Sequence, residues 1–195
     1  MKRTINFWLC GVLIVATISA CSDRAKLERD VKLIHSSPID LCMDSLYRYC
    51  TNEGANSEQS VVVDTVEVGK LSLVIYSDET VCSSCAVKGM YVWNELIDST
   101  KNRYGDSLPF YFIFTPEKEQ LVDLKIALKR SGFDYPVYID TLGVFKQRNR
   151  HIPKNKLLHT FLLDSDRKVV LVGSPLSNYA IMQMFYQIAD SCLIR

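Results

Sequence analysis

The feature that most restricts how this chain can fold is Cys82-Ser83-Ser84-Cys85, set between an apolar run and an amphipathic one. Ahead of it, Leu71-Ser72-Leu73-Val74-Ile75-Tyr76 is β-rich and long enough for one buried strand. Behind it, Ala86, Met90, Trp93 and Ile97 recur at helical spacing, which predicts a helix from Cys85 to about Arg103. Gly89 falls inside that helix at a cost of about 1 kcal/mol relative to Ala, and is expected to mark close packing. A cysteine at a helix N-terminus faces unpaired N–H groups and the positive end of the macrodipole. Both favour the thiolate, which is the attacking species in disulfide exchange. One turn on, Cys85 can reach Cys82 and close a disulfide. Cys82 and Cys85 are therefore the candidate catalytic residues and the candidate redox disulfide.

The N-terminus reads as an address. Lys2-Arg3 precedes an uncharged run from Ile5 to Ala20, short of the roughly 20 apolar residues that span a bilayer. It ends Ile18-Ser19-Ala20-Cys21, which resembles the bacterial lipobox, where the cysteine is acylated and becomes the first mature residue. The resemblance implies a signal peptide over 1–20 and lipidation at Cys21; an uncleaved anchor helix is the alternative. Either one puts the chain outside the cytoplasm, where disulfides persist. The expected location is the bacterial cell envelope, lipid-anchored to a membrane, facing the periplasm or exposed on the surface. With Lys2 and Arg3 set aside, 21 Lys+Arg stand against 22 Asp+Glu, so no nucleic-acid partner is expected. Cys10 leaves with the signal and Cys21 takes lipid. Cys42, Cys50, Cys82, Cys85 and Cys192 remain, an odd number, so at least one stays free or pairs with another molecule.

Residues 21–57 read as a tether and an N-terminal helical segment, and 58–195 as one α/β domain. Leu27, Val31 and Ile34 suggest a loose helix over 22–36. Ser37-Pro38-Ile39-Asp40 looks like a helix start, with Ile39, Cys42, Leu46 and Tyr49 on the buried face. On such a helix Cys42 is an apolar filler, and it could bridge Cys50 only if the helix broke between them. Thr51 to Ser60 reads as a loop and Val61 to Val68 as a strand. Phe110 to Phe114, after Pro109, is almost wholly apolar and expected to be buried on both faces. Thr115-Pro116 is expected to cap a helix carrying Leu121, Leu124 and Leu128 that ends at Ser131-Gly132. Val137 to Ile139 forms a short strand closed by Asp140, followed by a basic connection from Lys146 to Lys156. Leu157 to Leu163 and Val169 to Val172 read as an antiparallel pair. Ser177 then caps a helix with Ile181, Met184, Phe185, Ile188 and Cys192 on one face, which makes Cys192 a core residue. A βαβ half followed by a ββα half implies a mixed sheet with helices on both faces.

Three blocks of the chain resemble the thioredoxin-like fold of membrane-tethered TlpA/ResA-type proteins, and a group of lipoproteins of Bacteroides-like bacteria. They are Leu73-Val74-Ile75-Tyr76 with Cys82 to Cys85, His159-Thr160-Phe161-Leu162-Leu163-Asp164, and Lys168-Val169-Val170-Leu171-Val172-Gly173. The resemblance covers about residues 60 to 192. It implies a thioredoxin-like mixed β-sheet flanked by helices, with residues opposite the cysteines guiding substrate. In the family a cis-proline precedes the second block; here Leu158 and His159 occupy that place and become the candidate substrate-positioning residues. The aromatic residue that usually precedes the first cysteine is Val81, and Asp78 and Glu79 lie close upstream. Nearby carboxylates oppose thiolate formation, so a mildly reducing or unspecialised couple is expected, not a strong oxidant.

Three functions follow. The first is a thiol–disulfide oxidoreductase in which Cys82 attacks a substrate disulfide and Cys85 resolves the mixed disulfide. It needs no cofactor, and its partners are cysteine-containing exported proteins and a thiol donor. The second resembles copper-delivering Sco proteins: Cys82, Cys85 and His159 as ligands to a soft ion such as Cu(I), with copper as cofactor. Sco sites separate their cysteines by three residues, whereas two separate them here, and His159 also reads as a histidine packed beside the active-site helix. The third is a non-catalytic binding module with Cys82–Cys85 as a structural disulfide. A zinc site of the paired Cys-x-x-Cys kind is disfavoured, because only one pair exists. His35 and His151 read as surface residues. Lys146, Arg148, Arg150, Lys154 and Lys156 form a basic loop, solvated or docked to anionic lipid or a partner.

Overall fold

The computed structural model describes residues 23–50, 70–78 and 86–194. The expected signal peptide over 1–20, Cys21, the expected loop at Thr51 to Ser60, the expected strand at Val61 to Val68 and the Cys82/Cys85 pair lie outside those residues. A helix, α1, covers 23–34 and is buried at Ile34. Strands β1 (Tyr47–Tyr49) and β2 (Leu71–Ser77) precede helix α2 (Val92–Tyr104). Strand β3 (Phe110–Phe114), helix α3 (Leu121–Arg130), strand β4 (Val137–Ile139) and the short helix α4 (Val144–Arg148) follow. The hairpin β5 (Thr160–Asp164) and β6 (Val169–Val172) leads into α5 (Tyr179–Leu193).

These strands form one six-stranded sheet in the order β1-β4-β3-β2-β5-β6. β3 lies parallel to β2 and to β4, whereas β5 is antiparallel to β2 and to β6, and β1 is antiparallel to β4. A central strand with a parallel neighbour on one side and an antiparallel hairpin on the other is the thioredoxin-like α/β arrangement expected from the sequence.

Period-two alternation divides the core between the two faces of the sheet. Leu71, Leu73, Phe112, Phe114 and Leu162 pack with Trp93, Leu96 and Ile97 of α2, Leu124 and Leu128 of α3, and Phe185 of α5. Val74, Tyr76, Tyr111, Ile113, Phe161 and Leu163 point the other way, against Ile34, Ile39, Leu46 and Phe145. Both faces of β2 and β3 are thus buried, as their continuous apolar runs required. Asp190 ties α5 to α2, accepting from Arg103 Nη2 and from the Tyr104 hydroxyl, each at 2.7 Å.

Several local expectations are corrected. The segment after Pro38 is not a helix: Met43–Ser45 is a single 3₁₀ turn, and Tyr47–Tyr49 is a strand paired with β4. Cys42 adopts φ 51°, which a helix cannot accommodate. Asn149 takes over the backbone of Asp40, accepting from its amide at 2.8 Å and donating to its carbonyl at 2.7 Å. Ile39, Cys42 and Leu46 are buried nonetheless. The helix expected from Cys85 is interrupted at Lys88–Tyr91, where Gly89 has φ 85° and a Cβ would meet nothing within 4 Å. Gly89 therefore serves a left-handed break, not close packing. The third helix begins after Glu117, with a 3₁₀ turn at Lys118–Gln120, and Thr115 does not cap it. β5 starts at Thr160 because Lys156–Leu158 forms a 3₁₀ turn, capped by Asn155 Oδ1 accepting from the Leu157 amide. Asn178, not Ser177, caps α5 by accepting from the Ala180 amide at 2.8 Å. Met184 is exposed, and Ala189 takes the buried place on that helix beside Phe185.

Asp140 closes β4 as expected and does more. Fully buried, its carboxylate accepts from the amides of Leu142 (3.3 Å), Val144 (3.0 Å) and Phe145 (2.8 Å), starting α4. Asp140→Ala strands these donors and is expected to cost about 2 kcal/mol or more, read as a lower urea midpoint at unchanged slope.

Cys42 is a free, buried thiol whose Sγ donates to the Asp40 carbonyl at 3.3 Å. Burial first, then the Asp40 carboxylate, pushes it up from 9.0 to about 12. The unfolded thiol ionises near its ordinary value while the folded one stays protonated. Its contribution to stability is therefore whole below pH 9 and lost as pH rises towards 12. The destabilisation caused by Cys42→Ala should accordingly shrink above pH 9 in urea titrations, and native Cys42 should resist iodoacetamide at neutral pH.

Candidate functional site

In sequence, the candidate cysteine pair follows directly on β2. That buried, apolar strand carries the backbone to Ser77 and buried Asp78, and the described chain resumes at Ala86, on the way into α2. Cys82 and Cys85 fall between these points in sequence, so two described elements bracket the pair.

β5 flanks the same end. The Tyr76 amide donates to the His159 carbonyl at 2.9 Å, which sets His159 directly beside the end of β2. His159 is only 4% exposed, and its ring leans on Tyr76 with centroids 5.1 Å apart. Tyr76 in turn packs on Phe145, at 4.8 Å. His159 Nε2 lies 2.8 Å from the Pro153 carbonyl. A carbonyl only accepts, so Nε2 is the donor of this bond. Leu158, also buried, ends the preceding 3₁₀ turn. Leu158 and His159 are thus both buried, with His159 beside β2.

Above this floor opens a cleft of about 1280 Å³. One wall is α1, through Asp23, Lys26, Leu27, Asp30 and Leu33. The other is α4 and the segment after it, through Lys146 and then Arg150, Ile152, Lys154 and Lys156, with Tyr76, Asp78 and His159 at the base. Sequence periodicity does not reveal this cleft, because it depends on α1 packing through Ile34 against the second core. Arg148 leaves the basic group, lying 3.4 Å from both Asp40 and Asp44. His35 is exposed as expected, whereas His151 is half-buried, and burial lowers its pKa below 6.5. Cys192 packs partly buried at the edge of the first core, in keeping with its expected role.

No group of three or more metal-ligating side chains occurs among the described residues. Nor is any described helix long and apolar enough to cross a membrane.

No family model matches the sequence, and no curated protein matches it. Among solved structures it is similar to a thioredoxin-like protein in its oxidised form, at 16% identity and TM-score 0.44, over 83% of this chain and 97% of the other. It is also similar to the thioredoxin domain of a thiol-disulfide oxidoreductase from Bacteroides vulgatus, at 17% identity and TM-score 0.42, over 62% and 80% of the two chains. StoA from Bacillus subtilis is 16% identical with TM-score 0.40, over 57% and 79%. The fold assignment rests on the strand order and register given above.

Proposed function

We propose that this chain is an exported, lipid-tethered thiol–disulfide oxidoreductase acting through Cys82 and Cys85. The observation that carries the reading is that Cys82-Ser83-Ser84-Cys85 falls in sequence between the end of β2 and Ala86, the strand-to-helix junction of a thioredoxin-like sheet. Cys82, as thiolate, attacks one sulfur of a substrate disulfide; the other sulfur leaves as a thiolate and takes up a proton. Cys85 then loses its proton and attacks Cys82, releasing the second substrate thiol. Two electrons pass from the pair to the substrate, and an external dithiol donor restores them. Leu158 and His159 guide the substrate backbone. Cys21 holds the domain to the envelope membrane by its acyl chains, the partners being exported proteins with cysteines.

The test is equilibration in glutathione redox buffers, followed by alkylation and mass spectrometry of the Cys82–Cys85 peptide. The expected result is a reversible two-electron titration with a midpoint below about −180 mV, far from the roughly −120 mV of strong disulfide donors. A pair that stays oxidised at every ratio would instead identify a structural disulfide and a non-catalytic module.

His159 supports a second reading. With Nε2 donating to the Pro153 carbonyl, a neutral ring leaves Nδ1 as an acceptor, the arrangement common to metal-ligating histidines. Cys82, Cys85 and His159 would then hold Cu(I), a soft ion suited to two thiolates and an imidazole. Competitive Cu(I) titration of the reduced protein, with His159→Phe alongside, separates the two readings. Copper binding weakened at least about tenfold by the variant supports the metal site.

A further inference from the structure

We propose that the cleft between α1 and the segment after α4 is a groove for an extended, acidic polypeptide segment. This deepens the oxidoreductase reading, on which it rests only for the chemistry done on the bound segment. The wall formed by α4 and the segment after it carries four cations, Lys146, Arg150, Lys154 and Lys156, and no carboxylate. Arg150 and Lys154 are exposed and make no ion pair among the described residues. The α1 wall is mixed, with Asp23 and Asp30 around Lys26 and Leu27. A ligand with carboxylates on one side and neutral or apolar groups on the other fits this asymmetry.

Shape narrows the choice further. At about 1280 Å³ the cleft exceeds the usual range for small-molecule sites, roughly 300–1,000 Å³. Leu27, Leu33, Ile152 and Pro153 lie among its charged residues and offer apolar footing to side chains. A flat lipid surface reaches only the rim of such a concavity, whereas an extended chain enters it and comes down on Tyr76 and His159. Asp78 precedes Cys82 by four residues, so covalent reach keeps Cys82 within about 15 Å of the floor.

The test uses two labelled peptides without cysteine, one with glutamates around a central serine and one with lysines at the same positions. Their binding to the full chain is read by fluorescence anisotropy at low and at high ionic strength. The acidic peptide is expected to bind at least about fivefold more tightly than the lysine peptide, with the gap closing as salt rises. Arg150→Glu with Lys154→Glu should abolish or invert the preference. Arg150→Ala with Lys154→Ala should reduce it, which keeps the test valid if charge reversal disturbs the fold. Equal binding of the two peptides, binding of neither, or a preference untouched by both double variants overturns the proposal. Binding confined to vesicles containing phosphatidylglycerol overturns it as well, and assigns the cationic wall to a lipid surface. Both peptides lack cysteine, so an unreactive Cys82 removes the oxidoreductase reading while leaving the groove to stand or fall by these measurements.

Discussion

Cys82→Ser is expected to lower the rate of disulfide exchange by on the order of a thousandfold or more, with the fold intact. A serine hydroxyl is almost wholly protonated at neutral pH and forms no stable bond to sulfur, so neither the attack nor the mixed disulfide survives. The unfolding free energy of the reduced protein, from urea denaturation, should stay within about 0.5 kcal/mol of wild type. The readout is single-turnover reduction of a small neutral disulfide by the pre-reduced protein. A residual rate within tenfold of wild type would mean that another thiol does the exchange. Cys192, partly buried on α5, is the first to examine in that case.

Phe112→Ala is expected to produce the largest loss of stability, about 3–5 kcal/mol. Phe112 is 1% exposed on β3 and meets two rings edge-on, Trp93 of α2 at 5.5 Å and Phe133 after α3 at 4.7 Å. Its removal opens a cavity where the sheet meets α2, the helix that follows the cysteine pair. For a domain whose total stability lies in the ordinary range of about 5–15 kcal/mol, that is a third or more of it for a marginal fold. Urea denaturation should show a lower midpoint at unchanged slope, and Phe112→Leu should recover much of the loss. A cost below about 1 kcal/mol would mean that the two rings close over the gap.

The sheet was largely legible because its strands carry strong local signals. Phe110 to Phe114 is apolar at every position, and only a strand covered on both faces satisfies that pattern. The segment at 37–50 misled for the opposite reason. Ile39, Cys42 and Leu46 have helical spacing and do become buried. Their conformation is decided by Asn149, 109 positions away from Asp40, and by pairing with β4, partners that no local period reports. Gly89 is ambiguous in the same way, since one glycine can mark contact or a turn, and its positive φ settles the matter.

The site was legible in its parts and not in its assembly. The motif at Cys82 to Cys85 and the odd pair Leu158-His159 stand out in the sequence, but the bond from His159 to the Pro153 carbonyl does not. The cleft was hidden too, since it exists only once α1 packs across from the basic segment. What the sequence shows as a solvated basic loop becomes one wall of a cleft that also takes in Tyr76 and His159.

The most direct measurement mixes reduced Cys85→Ala protein with a disulfide-bonded peptide and maps the products by mass spectrometry. Exchange through Cys82 predicts one peptide held covalently at Cys82, stable because no resolving thiol is present. Under the same conditions the wild type should release both peptide thiols and end as the Cys82–Cys85 disulfide. No adduct at Cys82, or equal labelling of Cys82 and Cys192, would contradict the account.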